Sequence, residues 1–335
     1  MPDAPSDPRI DRVLTRLVEQ GVVGSADGAT VVELSGGVSA DVFALTVGGR
    51  RFVVKWALPR LRVAQEWLSS PSRIVVEADA TSYARHIRPE NAPKIVDVDD
   101  VNLVIVMTAA APEMVNWKSA LLDGNIDPDV GRSLGSALAD WHSASGSDPD
   151  AFRRFGDRRY FVELRVAPFF KRVGEVHRDL EALIDRIVDR MMQRAICLVH
   201  GDFSPKNVLV SEGSFWVLDW EVAHIGDPTF DLAFLVSHLV CKAIHRPGEA
   251  HLYETCARLF LDAYAERSIL GADHHDLVPQ AACLLLARVD GKSPVDYFDP
   301  EQANRARALG RRLLVEGATD LAALWRHPEV DCQVD

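Results

Sequence analysis

Apolar residues recur along this chain with two periods, and the change from one to the other divides it. After a short amphipathic helix expected over Arg9 to Gln20, alternating runs read as strands: Thr30 to Leu34, Asp41 to Val47 and Arg51 to Trp56. Gly48-Gly49 between the last two is a hairpin turn signal. The first two are joined by Ser35-Gly36-Gly37-Val38-Ser39-Ala40, small residues whose amides can approach a phosphate closely. A helical run, Ser72 to His86, precedes a last strand, Leu103 to Met107. From Asp127 onward helical spacing dominates: Val130, Leu134, Leu138 and Trp141 form a core stripe behind an Asp127-Pro128 start, and Asp179 to Met192 repeats the pattern. Leu232 to Ile244 is expected as a buried helix, too short to span a bilayer. A further helical segment runs from Pro300 to Val315. A chain of 335 residues with 47% hydrophobic content exceeds one usual core. An α+β protein of two lobes, residues 1–110 and 111–335, is expected.

One short strand pair interrupts the helices. Val208-Leu209-Val210 and Phe215-Trp216-Val217-Leu218 flank the turn Ser211-Glu212-Gly213-Ser214, so the chain leaves Asn207 and returns to the same end at Asp219. Such a hairpin lets Asp202, Asn207 and Asp219 converge, although 17 positions separate the two aspartates. Converging carboxylate and amide oxygens, with no Cys or His, suit a hard ion such as Mg²⁺.

His200-Gly201-Asp202 with Asn207, followed by Asp219, resembles the catalytic loop and metal-binding aspartate of the aminoglycoside phosphotransferase and choline kinase superfamily, distant relatives of protein kinases. The resemblance implies a two-lobed protein-kinase-like fold: a first lobe of antiparallel sheet plus helix, and a larger, mainly helical second lobe. It also implies transfer of the γ-phosphate of ATP to a hydroxyl, with Asp202 positioning that hydroxyl and accepting its proton while Asn207 and Asp219 hold magnesium. In that setting Gly36, Gly37 and Ser39 cover the phosphates. Lys55 contacts the α- and β-phosphates and needs an acidic partner, for which Glu77 is the natural candidate and Asp79 the fallback. Met107, Thr108 and Ala110, in the segment leading to Pro112, are the hinge whose backbone reads the adenine. Lys206 is expected on the surface, with a γ-phosphate contact as the alternative. Asp227 and Asp231 are expected to fix loop and helix-start hydrogen bonds.

A patchier resemblance is to methylthioribose kinases. It rests on Ala57-Leu58-Pro59-Arg60-Leu61-Arg62 with Trp67, on Glu221 two positions after Asp219, and on the Cys283 to Asp296 segment. Glu221 thereby becomes a candidate to support the metal ligands or to bind a second ion, with a solvated side chain as the alternative. Methylthioribose kinases carry an arginine pair where this chain has Arg288 alone, and their glycine loop differs.

Composition bounds the partners. The net charge of −12 is carried mainly by residues 111–335, with 25 Lys and Arg against 35 Asp and Glu; residues 1–110 have 12 against 14. That balance argues against nucleic acid. The Met1-Pro2-Asp3 start is acidic and proline-rich, unlike a secretory signal, and five scattered cysteines fit a reducing compartment, so a cytoplasmic monomer or homodimer is expected. His274-His275 is expected as a solvated loop pair. A methylthioribose-like sugar ranks first as acceptor. An aminoglycoside follows, favoured by the acidic second lobe, and then choline or another amino alcohol. The reading from another class is a nucleotide-binding pseudokinase, which the presence of Lys55, Asp202, Asn207 and Asp219 opposes.

Overall fold

The computed structural model describes residues 7–34, 39–62, 66–270 and 274–326. Helix α1 (Pro8–Glu19) starts on the Asp7 side chain, which accepts the Arg9 amide, and turns Ile10, Val13 and Leu17 inward. Strands β1 (Thr30–Glu33), β2 (Ala40–Val47), β3 (Arg50–Ala57), β4 (Ile95–Asp99) and β5 (Val104–Thr108) form one antiparallel sheet in the order β1-β2-β3-β5-β4. Gly48 and Gly49, at φ of 57° and 72°, make the tight β2–β3 turn in the left-handed region that a side chain resists. Helix α2 (Arg73–Ile87) buries Ile74 and Ala78 against Ile105 and Met107, while α1 packs Val13 and Leu17 with Phe52, Val54 and Val106. The sheet is therefore covered on both faces.

Strand β4 was not expected, and its burial explains why. Asp97 and Asp99 face inward and Val98 faces out, because Arg16 of α1 grips Asp97 at 2.8 Å and Asp99 at 3.6 Å. The alternation is inverted in polarity, so a hydrophobic pattern does not reveal it.

After β5 the chain is mainly helical. A two-residue strand β6 (Val115–Asn116) leads into α3 (Trp117–Leu122) and α4 (Pro128–Gly146), followed by the short α5 (Pro149–Arg154) and α6 (Arg159–Phe161). A π-helical segment, Val162–Lys171, contains Pro168 and runs into α7 (Arg172–Val176). Helix α8 (Glu181–Gln193) leads to β7 (Cys197–Val199), the hairpin β8 (Val208–Ser211) and β9 (Ser214–Val217), and β10 (His224–Gly226), which pairs with β7. The long helices α9 (Thr229–His245), α10 (Ala250–Arg267), α11 (Leu277–Asp290) and α12 (Pro300–Glu316) complete the second lobe. The Val130–Trp141 stripe behaves as core: Leu134, Leu138 and Trp141 are buried, and Trp141 stands edge-on to Trp220 at 5.3 Å. No helix among the described residues is long and apolar enough to cross a membrane.

Candidate active site

The loop from Val199 to Asn207 is held from below by a buried carboxylate. Asp231, in the first turn of α9, accepts the His200 amide at 2.7 Å and the Gly201 amide at 2.9 Å, and lies 3.3 Å from His142 Nε2. Asp231 was expected to fix loop and helix-start hydrogen bonds; it accepts these loop amides, tying α9 to the loop, and reaches α4 and α10 through His142 and Tyr264. Gly201 sits at φ 77°, where an added Cβ would meet the Val222 carbonyl at 2.9 Å, so only glycine lets the loop turn here. The His200 ring receives the Asp202 amide on Nδ1 at 3.1 Å and faces the Leu218 carbonyl with Nε2 at 3.0 Å. Burial holds this imidazole below its ordinary range, and the neutral ring with its proton on Nε2 satisfies both contacts. Asp231→Ala leaves two buried amides without acceptors and is expected to cost about 3 kcal/mol or more. Urea unfolding reads this as a lower midpoint with an unchanged slope.

Asp202 is 3% exposed and surrounded by donors. Arg165 lies at 2.9 Å, Lys206 at 2.8 Å, and the Asn207 amide nitrogen at 2.8 Å, all on the same carboxylate oxygen Oδ2. Burial pushes the Asp202 carboxyl up, but Arg165 and Lys206 outweigh it and hold the group below the usual carboxylate range. Arg165 had no role in the sequence reading. It lies in the π-helical segment, whose wide turn coincides with the site, and it also donates to the Gly201 carbonyl at 2.7 Å. A lone arginine between Leu164 and Val166, in a run that ends Phe169-Phe170, was the available signal. Lys206, half-exposed, is occupied by Asp202.

The hairpin does what its spacing predicts. Residues Val208–Ser211 pair with Ser214–Val217, and the Leu218 amide donates to the Asn207 carbonyl at 2.8 Å, so the strand ends carrying Asn207 and Asp219 are bonded to each other. Asn207 spends its Nδ2 on the Asp202 carbonyl and carboxylate, which leaves its Oδ1 as an acceptor. Asp219 has φ 67°, a conformation that is costly for a residue with a Cβ and that gathers at functional sites.

Lys55 crosses from the sheet to this hairpin. Its Nζ is 2.7 Å from Glu77 Oε2 and 2.5 Å from Asp219 Oδ1. The predicted partner is Glu77; Asp79 pairs with Arg154 on the surface. Burial works to discharge the lysine, but Asp219, Glu77 and Glu221 hold it well above its ordinary range as an ammonium. Burial pushes the Glu77 carboxyl up, Lys55 pulls it down, and Asp219 and Glu221 crowd it up again. One oxygen from each of Glu77, Asp219 and Glu221 lies within 4.8 Å of the others. Lys55 sits on two of these carboxylates and Arg73 on the third, and the all-oxygen donor set is of the kind that fits a hard divalent cation. Asn207 and Asp219 offer acceptors toward one, with Glu221 beside them.

Glu221 is also held by a residue that sequence reasoning passed over. Arg73, fully buried at the start of α2, donates to Glu221 at 2.9 Å and to the carbonyls of Ser39, Leu58, Ser69 and Ser70. It therefore joins the end of the glycine-loop segment and the Leu58–Ser70 insertion to the metal-side acid. Gly36 and Gly37 lie outside the described residues; Ser39 is described, and its carbonyl accepts from Arg73 at 2.6 Å and from the Leu58 amide at 2.8 Å. At the expected hinge, Thr108 lies at the sheet edge. Its amide donates to the Lys94 carbonyl at 2.9 Å and its hydroxyl accepts the Lys94 amide, so it is used within the sheet edge. Met107 pairs with Val53 and Ile95 and packs its side chain under α2. Ala110, past the strand end and half-buried, has an amide with no backbone partner among the described residues.

The sequence pattern of the phosphotransferase enzyme family matches residues 30–270, which include Lys55, Glu77, Asp202, Asn207 and Asp219. The chain belongs to the phosphotransferase enzyme family. As a phosphotransferase with a hydroxyl as acceptor, it is similar to the methylthioribose kinase of Erwinia tasmaniensis, with 25% identity over 318 residues covering 82% of this chain and 78% of that protein. Among solved structures it resembles a choline/ethanolamine kinase family protein from Mesorhizobium loti, at TM-score 0.56 and 17% identity, covering 94% of this chain and 99% of the other. It also resembles an amicoumacin kinase solved with AMP-PNP, Ca²⁺ and Ami, at TM-score 0.58 and 12% identity, covering 93% and 97%. These likenesses identify the two-lobed kinase-like fold of this phosphotransferase.

Because Arg165 supplies the largest pull on the Asp202 carboxyl, removing it lets burial dominate. The depressed native value means that the ionised form, and the stability it brings, is present above the unfolded value of about 3.9 and is lost as pH falls through the native one. Arg165→Met is therefore expected to move the acid limb of kcat/KM upward toward neutrality. A pH–rate profile unchanged from wild type would contradict this.

Proposed function

We propose that this phosphotransferase is an ATP- and Mg²⁺-dependent small-molecule kinase that phosphorylates a hydroxyl of a sugar-like acceptor. The observation that carries the reading is the convergence of Lys55–Glu77, Asn207, Asp219 and Asp202 between the sheet and the hairpin, on a chain whose family transfers phosphoryl groups. In this reading the boundary between the lobes falls near residue 110. ATP binds as substrate between residues 1–110 and 111–335, with adenine toward Ala110 and phosphates toward Ser39 and the glycine loop.

Lys55, held as an ammonium by Glu77, binds the α- and β-phosphates. Asn207 Oδ1 and Asp219, with Glu221 beside them, would hold magnesium, which would supply charge neutralisation for the transferring group. Asp202 receives the acceptor hydroxyl on its carboxylate, orients it in line with the γ-phosphate and takes its proton late, since phosphoryl transfer passes through a loose transition state. Arg165 keeps that carboxylate ionised and fixed. Four buried cysteines, Cys197, Cys241, Cys256 and Cys283, are free thiols, which fits a cytoplasmic setting. The similarity to methylthioribose kinases favours a sugar-like acceptor over an aminoglycoside or an amino alcohol. Coupled ADP release across sugars, aminoglycosides and amino alcohols tests the assignment. Turnover that needs both Mg²⁺ and a hydroxyl acceptor is expected; nucleotide binding without turnover on any of them would favour the pseudokinase instead.

A further inference from the structure

Around the arginine that holds Asp202, the second lobe gathers further cations, two of which have no acidic partner among the described residues. Arg165, which holds Asp202, lies 5.6 Å from the centre of the Phe169 ring and 5.8 Å from that of Phe234. Arg288 of α11 uses the same two rings, at 4.3 and 5.6 Å. One and two turns beyond Phe234 on α9 come His238 and Lys242, and Lys242 Nζ lies 5.7 Å from the centre of the Tyr297 ring, which Lys118 approaches at the same distance. Arg288 is 7% and Lys242 1% exposed.

These groups are short of partners. Buried Arg288 Nη2, His238 Nε2 and the Tyr297 hydroxyl have no hydrogen-bond partner among the described residues. Neither Arg288 nor Lys242 makes an ion pair there. The acids nearby are committed elsewhere: Asp290 to His177 and Arg307, Asp296 to Lys118, and Asp202 to Arg165 and Lys206. Burial pushes the Lys242 ammonium down to about 7, with Lys118 and Arg288 adding to the effect against Cys241 and Asp296. Buried Arg288 stays charged without a counterion, and Lys242 can keep its charge here only at a cost, so beside donors that also lack acceptors a bound anion is what would satisfy the group. Near Asp202, the acceptor is the molecule in position to supply that anion.

We propose that the acceptor carries a carboxylate or phosphate group, which Arg288, Lys242 and Tyr297 receive while Asp202 takes its hydroxyl. The inference rests on the kinase reading and narrows its substrate to sugar acids or sugar phosphates. The same groups disfavour cationic aminoglycosides and amino alcohols. The acidic balance of residues 111–335 therefore does not extend to this corner of the site.

The test pairs hydroxyl compounds that differ in one anion: gluconate with glucose, and ribose 5-phosphate with ribose. Methylthioribose, kanamycin and choline are run alongside. An anionic member is expected to show kcat/KM at least a hundredfold above its neutral partner, and the arm that responds tells carboxylate from phosphate. Arg288→Met is expected to raise the KM for that compound tenfold or more with a much smaller change in kcat, and Arg288→Lys to recover part of it. A second readout does not need the true substrate. Gluconate or inorganic phosphate is expected to raise the melting midpoint of the wild-type protein relative to chloride at equal ionic strength, and Arg288→Met to lose that rise while its own midpoint stays level or increases.

Preference for methylthioribose, glucose or kanamycin with Asp202-dependent turnover would overturn the inference and leave the kinase reading standing. An anion-induced rise that is absent, or equal in Arg288→Met, would overturn it as well. No ADP release with any compound, together with no stabilisation by Mg²⁺ and ATP, would overturn both.

Discussion

Asp202→Asn is expected to lower kcat by roughly a thousandfold, within the range set by loss of a positioned general base. The amide keeps the size of the carboxylate but cannot take a proton. It also presents an NH₂ where Arg165, Lys206 and Asn207 all donate to one carboxylate oxygen. One of those donors then loses its acceptor and Arg165 loses its counter-charge, so a stability loss of about 1–3 kcal/mol accompanies the kinetic defect. That loss is too small to unfold a protein of this size under assay conditions, because Asp231 and His200 hold the loop independently of the Asp202 side chain. Steady-state kinetics together with a melting curve separate the two effects. A variant that retains near wild-type turnover on the true acceptor would remove Asp202 from catalysis.

Asp219→Ala is expected to be at least as severe, roughly a thousandfold or more in kcat, because it removes a charged oxygen donor to the ion and one of the two carboxylates on Lys55. Its stability effect is divided. Lys55 loses a 2.5 Å partner in a buried setting, which destabilises, yet the residue sits at φ 67°, where alanine keeps the strain and glycine relieves it by about 1 kcal/mol. Asp219→Gly should therefore melt above Asp219→Ala while both are inactive. Equal activity of either variant and wild type at limiting Mg²⁺ would contradict the assignment, and the reverse order of melting would contradict the strain argument.

Local features of this site were readable from the sequence because they are encoded over short separations. The β8–β9 hairpin announces itself by two apolar runs around Gly213, and it alone brings Asn207 to Asp219. Glu77 was identifiable because a buried strand lysine needs an acid and α2 supplies one on the correct face. The supports were not legible in the same way. Arg73 reaches Glu221 across 148 positions and Arg165 reaches the Gly201 carbonyl across 36, and nothing in local periodicity marks either as more than a charge in an apolar stretch. Nor does the sequence show that the β4–β5 edge consumes the Thr108 amide. Strand β4 itself hid behind two aspartates that point inward to Arg16. The acceptor corner needed α9, α11 and the Tyr297 segment to be assembled before its unbalanced charge appeared.

Diffraction from crystals grown with AMP-PNP and Mg²⁺ tests the central claim most directly. The account predicts an ion roughly 2.1 Å from Asn207 Oδ1 and from an Asp219 oxygen, the typical magnesium–oxygen distance, with phosphates on Lys55 and the Asp202 carboxylate facing the γ-phosphate. An ion bound elsewhere, or a nucleotide lying outside the space between Lys55 and Asp202, would contradict it.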